Sequence, residues 1–173
     1  MKLFKILLLL TAILGVNMAE AKSPHIENYV NVETKDGSFT IGLYPKVAPQ
    51  HVEAFLKLTK AGFYDGLYFH RVIPGFVAQG GDPLMAERDE VDYTLPLEIS
   101  PSATHKKGAL GMARLPHDKD SASTQFYISL SDNNSYLDGD YTVFGEVVSG
   151  MDIVEKIEKG DKMIKLTIKD NAK

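Results

Sequence analysis

The sequence predicts a mainly β domain, either a barrel or a sandwich, with two short helices laid against it. Three observations carry that prediction. Apolar runs are short and are separated by turn residues. Only two segments place apolar residues at helical spacing. The chain has 173 residues, 44% hydrophobic and 24% charged, which suits one domain with its own core.

The elements follow in order. Glu27 to Glu33 and Ser38 to Leu43 read as strands joined by a hairpin turn at Lys35-Asp36-Gly37. Pro49 to Ala61 reads as a helix. Val52, Phe55, Leu56 and Leu58 recur at helical spacing, Pro49 stands near the start and Gly62 follows the end. Tyr68 to Val72 and Gly75 to Gln79 read as strands flanking Ile73-Pro74. Strand alternation puts Arg71 on the face of Phe69, sends Phe76 and Val77 to opposite faces, and returns Gln79 to the side of Val77. Ala109 to Ala113, Gln125 to Leu130, Thr142 to Val148 and Ile164 to Lys169 read as further strands. Met151 to Lys159 carries Ile153, Val154 and Ile157 on one face and is followed by Gly160, so it reads as the second helix. A barrel would remove open sheet edges. Periodicity alone does not choose it over a sandwich.

Residues 1–21 stand outside this pattern. Lys2 and Lys5 precede an apolar run from Ile6 to Val16, and Asn17-Met18-Ala19-Glu20-Ala21 ends on a small-x-small site. That is the layout of a secretory signal peptide. The apolar run is short of the roughly 20 residues that span a bilayer. We expect cleavage after Ala21, a mature domain over residues 22–173, and delivery to the periplasm, with secretion as the alternative. Cleavage removes two lysines and one glutamate, which moves the formal charge from −4 to −5. Mild acidity without a basic run argues against nucleic acid or anionic membrane as partner, and no stable membrane association is expected after cleavage. There is no cysteine, which excludes disulfides, thiolate nucleophiles and cysteine metal sites.

Familiar catalytic signatures are missing. There is no Gly-x-Ser-x-Gly elbow, and the five histidines form no His-Glu-x-x-His pair. Asp132-Asn133-Asn134 with Asp138-Gly139-Asp140 would need glycine where Leu137 stands to make a calcium loop. Gly80-Gly81 opens no helix that could cradle a phosphate. Neither cofactor nor metal is expected.

Three stretches remain. The first runs from Phe69 to Pro83, as Phe-His-Arg-Val-Ile-Pro-Gly-Phe-Val-Ala-Gln-Gly-Gly-Asp-Pro. An Arg and a Gln beside apolar side chains would be unusual as plain core, because both need partners when buried. Spacing alone favours a plainer reading, with Arg71 a surface strand residue paired to a carboxylate. The second stretch joins Gly108–Arg114 to Ser121–Ile128 through a polar loop, and the third runs from Tyr136 to Val147. Taken singly, each reads as a strand with core aromatics and a glycine-rich turn.

Together the three stretches resemble the cyclophilin family of peptidyl-prolyl cis/trans isomerases, bacterial periplasmic type. Phe-His-Arg-Val-Ile-Pro-Gly-Phe with Gln-Gly-Gly-Asp, Ser-x-x-Gln-Phe-Tyr-Ile and Val-Phe-Gly-x-Val occur in the family's order, and the match runs from about Tyr29 to Ile168. The resemblance implies a closed eight-stranded antiparallel β-barrel capped by two α-helices. It implies rotation about X-Pro bonds in unfolded or flexible polypeptides, assistance to the folding of exported proteins, and a monomeric enzyme with no cofactor.

By the same resemblance, Arg71 matches the catalytic arginine and Gln79 the glutamine that supports it. Phe76, Val77, Tyr127 and Leu137 match the floor and walls of the proline pocket. Ala113 and Gln125 match contacts to residues flanking the proline, and Tyr141 stands where many members have histidine. Val77 replaces a common methionine and Tyr127 a common phenylalanine, and the Tyr127 hydroxyl must find a partner. Arg114 stands where eukaryotic members often have asparagine, and the Leu115–Ser123 loop is longer. Tyr136 occupies the place of a tryptophan that contacts cyclosporin in sensitive members, so reduced sensitivity is expected. Two roles fit this resemblance: catalysis, or a chaperone-like holding of extended proline-containing segments.

Overall fold

The computed structural model describes residues 23–169, and the predicted leader lies outside them. The eight predicted strands are all present. They are β1 (Asn28–Thr34), β2 (Gly37–Leu43), β3 (Arg71–Ile73), β4 (Val77–Gly80), β5 (Ala109–Met112), β6 (Phe126–Ser129), β7 (Val143–Ser149) and β8 (Lys165–Lys169). They form one antiparallel sheet in the order β3-β4-β6-β5-β7-β2-β1-β8. In the β1–β2 hairpin, Thr34 pairs with Gly37 around Lys35-Asp36, and the Thr34 hydroxyl donates to the Gly37 carbonyl at 2.9 Å.

The expectation of a closed barrel is corrected. The sheet curls into a half-barrel, but its outer strands β3 and β8 share no ladder. The β3 edge is too short to meet β8. Pro74-Gly75 makes a tight turn in which the Phe76 N–H donates to the Ile73 carbonyl at 3.0 Å and Gly75 takes φ 69°. The turn cuts β3 to three residues. The seam is left to irregular chain. Tyr68 and Lys162 form an isolated bridge, and the Phe69 and Met163 N–H groups donate to Asp161 and Leu67 carbonyls, each at 2.8 Å.

The first helix, α1 (Pro49–Lys60), ends one residue before the predicted boundary. It has no side-chain cap of its own. Instead the Glu98 carboxylate accepts from the backbone N–H groups of Gln50 and His51 at 3.2 and 3.1 Å. A carboxylate there satisfies two free donors and suits the positive end of the helix dipole. The second helix, α2 (Met151–Val154), is one turn rather than the predicted Met151–Lys159. Beyond it the chain tightens into Lys156→Ile153 and Ile157→Val154 backbone bonds, which still bury Ile157. Two short 3-10 helices, Pro83–Ala86 and Asp132–Leu137, arise where no periodicity signals them.

The core fills the concave side of the sheet under α1. Phe55 meets Tyr64, Phe126 and Phe144 at ring-centroid distances of 5.0, 5.4 and 5.5 Å. Among the described residues, no helix is long and apolar enough to cross a membrane.

Two histidines are sealed into this fold. His51 is fully buried with its Nδ1 2.6 Å from Glu98, and His105 is 1% exposed with its Nδ1 2.6 Å from Asp138. Burial pulls both imidazoles below their ordinary 6.5, against the opposing pull of each carboxylate. The unfolded chain takes up these protons at the ordinary value, while the folded chain holds the neutral rings. Stability is therefore full above pH 6.5 and falls as pH drops below it. Urea unfolding is expected to show a lower midpoint at mildly acidic than at neutral pH. Equal midpoints would remove this account.

Candidate active site

A cavity of about 170 Å³ opens on one face of the sheet, lined by Arg71, Phe76, Val77, Gln79, Ala113, Arg114, Tyr127, Leu137 and Tyr141. Strands β3, β4, β5 and β6 supply Arg71, Val77, Gln79 and Tyr127 and the chain leading to Ala113. The 3-10 helix before β7 supplies Leu137.

Arg71 and Gln79 are cross-strand partners in the β3–β4 hairpin. The Arg71 Nη1 donates to Gln79 Oε1 at 3.3 Å, and Gln79 Nε2 donates to Gln125 Oε1 at 3.1 Å. The Arg71 guanidinium also lies 5.5 Å from the centre of the Phe76 ring. This chain fixes one long, exposed cation at the cavity rim without neutralising it. No carboxylate pairs with Arg71 among the ion pairs of the described residues. The plainer reading of Arg71, a surface residue paired to a carboxylate, does not hold.

The alternation argument holds for Val77 and Gln79 but fails twice nearby. Phe69 is buried in the core while Arg71 is exposed, because β3 begins only at Arg71. Phe76 and Val77 both line the cavity, because Phe76 belongs to the turn before β4 and not to its alternation.

Tyr127 forms the floor and is 5% exposed. Its ring fits because β5 offers a glycine opposite it. Gly111 and Tyr127 are register partners, and a Cβ on Gly111 would strike the end of the phenol. The hydroxyl lies 2.7 Å from His105 Nε2. That supplies the partner the hydroxyl requires, and His105 is a residue the sequence did not single out. Tyr141 meets Tyr127 edge-on, and the Arg114 guanidinium sits 4.4 Å over the Tyr141 ring. Arg114 Nε and Nη1 donate to the carbonyls of Asp140 and Leu115 at 2.9 and 2.8 Å. Arg114 thus braces the wall, a role its sequence position did not announce.

Two predicted site residues lie beside the cavity rather than in it. Tyr136 is 66% exposed and stacks on Phe76 at 6.3 Å, extending the apolar rim. Gln125 lines a neighbouring groove that shares Gln79, Ala113 and Arg114 with the cavity and is bordered by Leu115, Asp118, Ser121 and Ser123. Ala113 spends its backbone N–H on the Gln125 carbonyl at 2.8 Å.

Known proteins match this chain in sequence and in fold. The family model described as "Cyclophilin type peptidyl-prolyl cis-trans isomerase/CLD" matches residues 29–171. The chain is 41% identical to the "Probable peptidyl-prolyl cis-trans isomerase" of Brucella suis biovar 1 (strain 1330), with 92% of this chain and 90% of that protein covered. It is 45% identical to "Peptidyl-prolyl cis-trans isomerase B" of Bacillus subtilis (strain 168), with 70% and 83% covered. A crystal structure of a Cryptosporidium parvum cyclophilin type peptidyl-prolyl cis-trans isomerase superposes with TM-score 0.74 at 27% identity, covering 84% of this chain and 99% of that one. Sequence and fold match over nearly the whole of the described domain, and the chain belongs to the cyclophilin-type peptidyl-prolyl cis-trans isomerases.

Proposed function

We propose that this isomerase holds its proline in the Phe76–Val77–Tyr127–Leu137 cavity, that Arg71 stabilises the twisted amide, and that its clients are exported polypeptides. The observation that carries the reading is the uncompensated Arg71 guanidinium, steered by Gln79 to the rim of a cavity that Phe76, Val77, Tyr127 and Leu137 line on its apolar side.

Resonance holds an X-Pro bond planar behind a barrier of roughly 18–20 kcal/mol. At the twisted state resonance is lost and the prolyl nitrogen gains a lone pair. Arg71 can donate to it and remains charged at any working pH. The cavity grips the ring and excludes water, which strengthens that donation. The groove past Gln125 and Ala113 gives the preceding residues a surface to rest on while the other side of the bond turns. No bond to carbon is made or broken, so the reaction needs neither nucleophile nor metal. Rotation of a proline tetrapeptide, followed with purified residues 22–173, tests the site through the Arg71 variant argued in the Discussion.

Export rests on the Lys2–Ala21 pattern, and the mildly acidic chain suits free diffusion as a monomer in the periplasm. Expressed whole in a bacterial host, the protein is expected in the periplasmic fraction with Lys22 as its first residue. A cytosolic product that retains the leader would overturn this.

A further inference from the structure

We propose that His105, held by Asp138, is a positioning residue that directs the Tyr127 hydroxyl proton away from the proline cavity, so that proline binding weakens in acid. This rests on the reading that the cavity holds proline.

One imidazole bridges two oxygens. Its Nδ1 lies 2.6 Å from Asp138 Oδ1 and its Nε2 lies 2.7 Å from the Tyr127 hydroxyl. The same Asp138 oxygen accepts the His105 backbone N–H at 2.8 Å. A carboxylate only accepts, so Nδ1 carries the proton of the neutral ring. Nε2 is then an acceptor, and the hydroxyl must donate to it. The hydroxyl has one proton, and this arrangement commits it to His105.

A second proton on His105 reverses the bond. Nε2–H then donates, the hydroxyl accepts, and its own proton must turn elsewhere. Gly111 backs the phenol too closely to hold even a Cβ. Tyr141 presents at 6.3 Å and at 79° to the Tyr127 ring, and Phe76, Val77 and Leu137 offer no acceptor side chain. Among the described residues the Tyr127 hydroxyl has no hydrogen-bond partner besides His105, so the displaced proton is an unpartnered donor at the buried floor of the cavity, which is costly.

The charged and titratable groups facing this pair are few. Asp138 favours protonation of His105, and burial opposes it more strongly, so the ring is held below its ordinary 6.5. Arg114, Tyr141 and Tyr136 stand around Tyr127, whose own proton burial retains well above its usual range. A rival lies across the site. His70, beside Arg71, Asp82 and Gln125, is also pushed down by burial. Its protonation would act on the Arg71–Gln79–Gln125 chain instead.

The test separates the two. For wild type, KM for a proline tetrapeptide is expected to rise about tenfold as the medium is made acid, with kcat changed much less. In Tyr127→Phe the hydroxyl is gone, and KM is expected to be flat over the same range. Linkage supplies a reading free of turnover: saturating Ala-Pro dipeptide must shift the His105 titration, followed by NMR of its ring, to lower pH. An acid loss that persists in Tyr127→Phe, or a His105 titration unmoved by bound dipeptide, overturns the proposal. A wild type that neither turns over the tetrapeptide nor binds the dipeptide at neutral pH defeats the cavity reading itself.

Discussion

Arg71→Ala is expected to lower kcat/KM for a proline tetrapeptide by about 10²–10³-fold, a loss of roughly 3–4 kcal/mol of transition-state stabilisation. The fold should survive. Arg71 is exposed, its guanidinium lies over the Phe76 ring, and truncating an exposed side chain leaves no buried hole. Its one side-chain hydrogen bond among the described residues is to Gln79 at 3.3 Å. Circular dichroism and urea midpoint should therefore match wild type. Arg71→Lys should recover little, because a point-like ammonium cannot contact Gln79 and the prolyl nitrogen together as a planar fork can. A kcat/KM within about twofold of wild type would remove Arg71 from the mechanism, since one lost transition-state donor should cost far more.

Phe55→Ala is expected to cost about 3–5 kcal/mol of stability, a large share of the roughly 5–15 kcal/mol of a typical domain. Phe55 is fully buried, and its ring touches aromatics from three other parts of the chain: Tyr64 after α1, Phe126 in β6 and Phe144 in β7. Those neighbours are held by the sheet and by each other, so the space left by the ring cannot collapse readily. Tyr136→Ala is the matched comparison. It removes an aromatic that is 66% exposed and stacked on Phe76 alone, and its cost should stay within about 1 kcal/mol. Urea unfolding of both variants checks this. A Phe55→Ala loss no larger than that of Tyr136→Ala would mean that α1 is not seated on the sheet as described.

The parts of the site legible in the sequence are those joined by short-range geometry. Arg71 and Gln79 face each other because a tight turn at Pro74-Gly75 folds one strand back on the other, and both the turn residues and the spacing are local. The same turn defeated the local argument for Phe76, since alternation lapses where a strand stops. Gln125, expected to contact residues that flank the proline, lines the groove adjoining the cavity, and Tyr136 stands on the rim against Phe76.

Composition, turn residues and periodicity by themselves determined a mainly β domain with eight strands and two helices, because each depends on neighbours a few residues apart. The three motif stretches determined the family, because their residues are each specific in identity and order. Only the tertiary structure decided that the sheet stays open between β3 and β8, because ladder closure depends on how two ends of the chain meet. Only it decided what holds the Tyr127 hydroxyl. His105 is 22 residues away in sequence and Asp138 lies 33 residues beyond His105. No periodicity links them, and their contact exists only because β5, β6 and the chain before β7 are packed side by side. The same holds for Glu98, which caps α1 from 47 residues beyond His51. A buried polar group advertises in sequence that it needs a partner, and the fold alone names it.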